Sequence, residues 1–314
     1  MSIYLTQSKN VLGYAYNLFN NMMKIFYRFA NDGLWTILSL LFTAIIILGA
    51  LYSYFALHLP NVEALKNIRL QVPLRIYTAD DQLLGVFGTK RRIPVSLKQI
   101  PKPLIEALLA TEDARYYEHP GVDLIGLMRA AKAVLHSGEK VQGASTITMQ
   151  VARNFFLTRK KTYSRKIKEI LLALKIDRDF SKDDILNLYL NQIYLGQRAY
   201  GVAAAAQVYY GKTLDQLTLP EMAMIAGLPQ APSADNPISN PRGAFERRNH
   251  VLERMYEVGY IDQKTYEEAI KVPLTAKYHG ERIAVQAPYV AEMGLSAEGA
   301  CGKPAIIAIS GKVN

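Results

Sequence analysis

Two glutamates, Glu112 and Glu169, sit where a carboxylate could do chemistry. Leu104, Leu108, Glu112 and Tyr116 recur at a spacing of four, so they share one face of a predicted helix. Glu112 continues a stripe that otherwise reads as core. Partial desolvation there raises its pKa toward the range useful for a general base. The plainer reading is a surface carboxylate at a fraying helix end, since His119-Pro120-Gly121 stops the helix just beyond. Glu169 follows a stretch from Lys140 to Lys168 that contains no acid and carries Arg153, Arg159, Lys160, Lys161, Arg165, Lys166 and Lys168. Interleaved with Phe155-Phe156-Leu157, these cations suit an anion at an apolar boundary, such as a pyrophosphate under a lipid headgroup. A solvated basic loop is the ordinary alternative. Glu169 itself is either a salt-bridge partner or a second active-site acid. Paired carboxylates in unlike surroundings are the usual device of glycosyl chemistry, one accepting a proton and the other serving the leaving side. Spacing alone does not bring the two together in space.

The elements that must position these groups are mostly helices. The expected helices are Leu104–Glu118, Leu124–His136, Ser145–Asn154, Ser164–Asp179, Lys182–Asn191, Ala199–Tyr210, Pro220–Ala226, Gly243–Val258 and Gln263–Lys271. Gly143-Ala-Ser-Thr-Ile-Thr-Met-Gln150 adds hydroxyls and an amide after a Gly turn, with Ser145 as the expected cap of the next helix. A helix N-terminus of this kind can hold an anion, although capping alone explains the residues. Asp183-Asp184 and Pro220-Glu221 suit first turns. Ahead of the helices, Leu74–Thr78 and Leu83–Phe87 flank Ala79-Asp80-Asp81-Gln82 and read as a hairpin. Pro229–Pro241 reads as a loop, Leu274–Gln286 as extended, and Gly294–Asn314 as poorly ordered.

The 314 residues are half apolar, so a sizeable core can form. A net charge of +10 favours an anionic partner: nucleic acid, anionic lipid or a phosphorylated substrate. Zinc spacings and RNP-type aromatic motifs are missing, which argues against nucleic acid. The lone Cys301 excludes an internal disulfide. From Gly33 to Leu57 there is no charged residue, and the apolar run 34–57 is long enough to cross a bilayer core, which takes about 20 residues. Trp35, Tyr52 and Tyr54 suit its interfaces. The run is too long for a signal-peptide core, and no cleavage site follows it. Lys24 and Arg28 before it nearly balance Lys66, Arg69 and Arg75 after it, so charge does not decide orientation.

Five motifs stand in order. They are Glu112-Asp113-x-x-Tyr116-x-x-His119-x-Gly121; Gly143-x-Ser145-Thr146-Ile147-Thr148-Met149-Gln150; Arg165-Lys166-x-x-Glu169; Lys182-x-x-Ile185-Leu186-x-x-Tyr189-Leu190-Asn191; and Arg247-x-x-x-Val251-Leu252. Together they resemble the peptidoglycan glycosyltransferase domain of class A penicillin-binding proteins (glycosyltransferase family 51), nearest the bifunctional 1A type. Tyr116 stands where the family often has Phe, and Met149 where it more often has Gln. The resemblance implies a mainly α, lysozyme-like glycosyltransferase domain behind a single transmembrane helix and a small β segment. The implied boundaries are a cytoplasmic arm 1–33, a membrane helix 34–57, a β-containing linker 58–100, a glycosyltransferase domain 101–272, and a linker remnant with an atypical tail 273–314.

The same resemblance implies an enzyme of the outer face of the cytoplasmic membrane. It would polymerise lipid II into β-1,4 glycan strands for the cell wall and release undecaprenyl pyrophosphate. By motif, Glu112 would be the general base on the acceptor 4-hydroxyl. Glu169 would sit at the donor side. Arg153, Arg165, Lys166 and Lys168 match donor-site basic positions, and Asp113, Ser145, Thr146, Gln150 and Asn154 would shape the cleft. The fourth and fifth motifs, with Tyr189, Asn191 and Arg247, look structural, and His119 looks packed rather than catalytic. No cofactor is required, although a divalent cation (Mg or Mn) near Glu112 or Glu169 is compatible. Implied partners are lipid II, the nascent glycan strand, membrane lipid and other cell-wall synthesis proteins. A penicillin-binding transpeptidase needs Ser-x-x-Lys with two further motifs. Ser137-Gly-Glu-Lys140 fits only the first, so transpeptidase activity and β-lactam binding are not expected. Two other readings stay open: a lysozyme-like lytic hydrolase using Glu112 as an acid, and an inactive membrane-anchored remnant.

Overall fold

The computed structural model describes residues 20–24, 35–47, 49–50, 53–55, 57, 59–68, 70–78, 83–87, 90–129, 145–158, 160, 162–280 and 308–309. The chain divides into two compact units, Met1–Leu59 and Pro60–Asn314. In the first, residues 20–24 and 35–47 are helical, and Trp35, Leu40, Phe42 and Ile45 are exposed. Among the described residues no helix is long and apolar enough to cross a membrane. Residues 34, 48, 51, 52 and 56 of the expected span lie outside the described set.

The second unit opens with a short 3-10 helix, Val62–Asn67, and the hairpin follows. Strand β1 (Leu74–Thr78) pairs antiparallel with β2 (Leu83–Phe87), Leu74 facing Phe87, and the register slips by one residue after Ile76. A short strand β3 (Arg91–Arg92) then leads into eight helices: α1 Lys102–Glu112, α2 Ile147–Phe156, α3 Tyr163–Asp179, α4 Lys182–Gln192, α5 Val202–Tyr210, α6 Leu219–Gly227, α7 Pro241–Val258 and α8 Gln263–Lys271. Residues 124–129 are helical as well. The second unit is thus mainly α.

Two helix groups form its core. Helix α6 is apolar apart from Glu221 and buried from Glu221 to Gly227, packed against α1 and α7. Its start is fixed by a Thr218–Glu221 capping box. Helix α2 packs against α3 and α4 through Ile147, Met149, Val151 and Ala152. These α2 side chains are almost wholly buried, so each contributes roughly its full transfer free energy, about 1–3 kcal/mol for the larger ones.

Several elements differ from expectation, each for a local reason. Helix α1 ends at Glu112, not Glu118, because the Asp113 side chain is recruited elsewhere and its backbone turns out of the helix (φ −163°, ψ 74°). Tyr116 therefore lies in the turn beyond α1, although it is buried. Helix α2 starts at Ile147, and its cap is Thr146 rather than Ser145. Helix α5 starts at Val202, because Gly201 (φ +86°) breaks the chain there and Ala199–Tyr200 form strand β4, parallel to β3. A side chain at Gly201 would meet the carbonyls of Leu190 and Asn191, which lets α5 start close against the end of α4. Residues 274–280 form no strand, but Lys277 and His279 donate their N–H groups to the carbonyls of Tyr209 and Val208. In the expected disordered tail, Ala308–Ile309 form strand β5, parallel to β1. The rest of 294–314, residues 281–286, Ser137–Lys140 and most of the expected helix 124–136 beyond 129 lie outside the described residues.

Candidate active site

The end of α1 is tied to the start of α2. The Asp113 carboxylate takes the Ile147 N–H (3.0 Å) and both of its oxygens contact His119 Nε2 (2.9 and 3.0 Å). Thr146 Oγ1 donates to the Gly121 carbonyl (2.6 Å) and accepts from the Met149 N–H (3.2 Å). Asp113, His119 and Thr146 are all buried. The carboxylate at this helix N-terminus thus comes from the protein itself, and the polar atoms of Asp113 and Thr146 face inward. His119 is packed and hydrogen-bonded, in keeping with its expected role.

This junction sets Gln150, one turn into α2, against Glu112. Gln150 Nε2 donates to Glu112 Oε2 at 2.7 Å. Glu112 is half-buried, and desolvation raises its pKa above the ordinary carboxylate value. The Gln150 hydrogen bond and the Arg247 and Arg153 guanidiniums oppose that rise, and Asp113 adds to it. Arg247, on α7, is tethered by Nε to the Gly227 carbonyl (3.0 Å), and Arg153 Nη2 reaches Gln150 Oε1 (3.5 Å). Among the described residues the buried Tyr189 hydroxyl has no hydrogen-bond partner, and its pKa is pushed up by burial and then by Glu112. Arg247, in a motif expected to be structural, ties α7 to the end of α6 and also bears electrostatically on Glu112. The available signal was a guanidinium on the face of α7 that also carries the buried Val251.

On the other flank of the α2 start lies a cationic group. Glu169 is fully buried and takes Arg165 Nη1 (2.8 Å) and Lys166 Nζ (3.1 Å), each about one helical turn away on α3. Lys166 Nζ also donates to Ser145 Oγ (2.8 Å), so Ser145 serves the lysine and not the helix cap. One carboxylate facing two cations leaves a net positive charge, and the Lys166 side chain is 35% exposed, so the charge is presented to solvent. Asn154 is exposed and Lys168 half-buried. Glu112 and Glu169 are therefore held by separate donor sets, linked through the Ser145–Gln150 segment.

Neither carboxylate is a ready metal ligand. Both oxygens of Glu169 are engaged by cations, and Glu112 is faced by two guanidiniums. Among the described residues no group of three or more His, Cys, Asp or Glu is arranged to hold a metal ion.

A desolvated carboxylate held by a buried amide and a cation pair gathered on a second carboxylate are thus joined through the start of α2. The chain belongs to the transglycosylase family, whose model matches residues 80–256. It is 55% identical over 253 residues to penicillin-binding protein 1A of Escherichia coli strain K12, covering 79% of this chain and 30% of that protein. It is 52% identical over 259 residues to penicillin-binding protein 1A of Pseudomonas aeruginosa, covering 82% of this chain and 32% of that protein. Among solved structures it is similar to penicillin-binding protein 1A from Haemophilus influenzae, at 35% identity and a TM-score of 0.44, covering 75% of this chain and 25% of that one. The chain spans about a third of the length of the curated relatives it matches.

Proposed function

We propose that this protein is a peptidoglycan glycosyltransferase that polymerises lipid II into β-1,4-linked glycan and releases undecaprenyl pyrophosphate. The observation that carries this reading is the pairing of a pKa-raised Glu112, held by Gln150, with the Arg165–Lys166 pair across the start of α2. Glu112 takes the proton of the acceptor 4-hydroxyl as its oxygen attacks the donor anomeric carbon from the face opposite the leaving group. The bond from that carbon to the pyrophosphate breaks with inversion, and Glu112 then loses its proton to solvent. Charge developing on the departing pyrophosphate is stabilised by Arg165 and Lys166. Glu169 keeps the two cations in register, Gln150 and Arg153 orient the base, and Asp113, Thr146 and Ser145 hold the frame.

A lipid-linked substrate requires work at a bilayer. The exposed apolar residues of 35–47 support the reading of 34–57 as a single-pass membrane anchor, and the glycosyltransferase reading implies the cytoplasmic membrane with the second unit on its outer side. Leu124, Ile125 and Met128 add an exposed apolar row on the second unit. Membrane lipid and other cell-wall synthesis proteins are the partners this placement implies.

A raised Glu112 pKa also suits a general acid, which is what a lytic hydrolase would need. One assay separates the readings. Detergent-solubilised protein is incubated with labelled lipid II and, in parallel, with preformed glycan. Polymer is expected from wild type and none from Glu112→Gln, with a raised donor KM or no turnover when Arg165 and Lys166 are neutralised. Polymer at the wild-type rate from Glu112→Gln would remove the base assignment. Digestion of preformed glycan would favour the hydrolase.

A further inference from the structure

The loop 113–121 leaves directly from Glu112 and is held on two sides. Its first half is anchored to α2 through Asp113. Its second half is anchored to the α3–α4 corner by Lys182, the first residue of α4. Lys182 Nζ donates to the His119 carbonyl (2.6 Å) and to Asp177 Oδ1 (2.6 Å), and it lies 4.9 Å from the centre of the Tyr116 ring. The Tyr116 hydroxyl returns a bond to the Lys182 carbonyl (2.7 Å). Beside this point Gly121, at φ +81°, packs so closely on α3 that an added Cβ would lie 2.6 Å from the Ala173 carbonyl oxygen. One ammonium thus joins the loop, α3 and α4, and a neutral residue there would leave the mostly buried Asp177 without its cation.

From this geometry we infer that Lys182 is a positioning residue for Glu112, acting through the 113–121 loop; the inference rests on the glycosyltransferase reading of the site. The transmission is short. His119 is gripped at its carbonyl by Lys182 and at its ring by Asp113, and Asp113 holds the Ile147 N–H where α2 begins. The start of α2 fixes Gln150, and Gln150 fixes the Glu112 carboxylate. Loosening the corner lets that carboxylate wander from the acceptor hydroxyl without removing any group that binds substrate. Sub-ångström to ångström misplacement of a catalytic group is worth up to about 100-fold in rate.

The test compares wild type, Lys182→Met and Asp177→Asn as full chains in detergent micelles. Lys182→Met is expected to lower kcat by about 10- to 100-fold with KM for lipid II within about twofold of wild type. Amide exchange at Ile147 and across 113–121 should accelerate, while exchange in α6 stays unchanged. Asp177→Asn, which keeps the lysine and the shape, should move both readouts in the same direction by less. Unchanged exchange at Ile147 and 113–121 in Lys182→Met would overturn the inference, as would a rise in KM with kcat intact. If Lys182→Met fails to fold, Asp177→Asn decides by the same two readouts. If wild type makes no polymer, the glycosyltransferase reading fails, and the exchange data still decide whether Lys182 holds the loop.

Discussion

Burial makes ionisation of the Glu112 carboxyl costly in the folded chain, because desolvation outweighs the help of Gln150, Arg247 and Arg153. A carboxyl whose pKa is raised on folding binds its proton more tightly in the folded chain. Its contribution to stability is full below the unfolded pKa and is lost as pH rises through the folded value. Glu112→Gln should therefore raise the Tm at neutral pH while lowering polymerisation by about 10²- to 10⁴-fold, the usual worth of a general base. The Tm gain should close as pH falls below the ordinary carboxylate range, which a melting series across pH would show. Gln150→Leu removes the strongest group holding that pKa down, so the acidic limb of kcat/KM should move to higher pH. A limb that stays in place would show that another group controls it. The candidate base was legible from sequence, since a Glu on the Leu104–Leu108 stripe predicts desolvation. Its partners Gln150 and Arg247 were not, because they lie 38 and 135 residues further along the chain.

Among the elements, α3 presents a buried ion group on one face. Glu169→Gln leaves Arg165 and Lys166 repelling each other with no counter-charge, at a cost of about 3 kcal/mol, discounted where Lys166 can reach water. Chemical denaturation should show this loss, and donor binding should weaken with it. The loop-to-α3 contact allows a sharper test. Gly121→Ala forces a Cβ toward the Ala173 carbonyl at a positive φ and should destabilise by about 1–3 kcal/mol. A neutral effect in denaturant melts would mean the loop has room to shift. Helix interiors were readable from hydrophobic period, and α8 matches its expected bounds. Helix ends were less so. Helix α1 stops at Asp113 because His119 and the Ile147 N–H claim its side chain, and Ser145 loses the cap to Thr146 because Lys166 claims its hydroxyl. Such competition between side chains far apart in sequence leaves no local signal.

For the whole molecule, the two units answer different needs. The apolar side chains of 35–47 are exposed, as the proposed membrane anchor requires, whereas the unit from Pro60 onward buries its own core. Deleting residues 1–59 should greatly reduce co-sedimentation with phospholipid vesicles, leaving any weak residual binding to the row Leu124, Ile125 and Met128. Full retention after deletion would place the membrane attachment in the second unit. By itself the sequence determined the mainly helical class, the apolar run 34–57, the basic run and the two glutamates, because these follow from residue type and short-range period. The tertiary structure alone decided that Asp113 and Thr146 face inward, that Arg247 joins Glu112, that Ser145 serves Lys166, and that Lys182 grips the loop behind the base. Those outcomes depend on which helices pack together, and packing brings together charges and hydrogen-bonding groups that no spacing along the chain can pair.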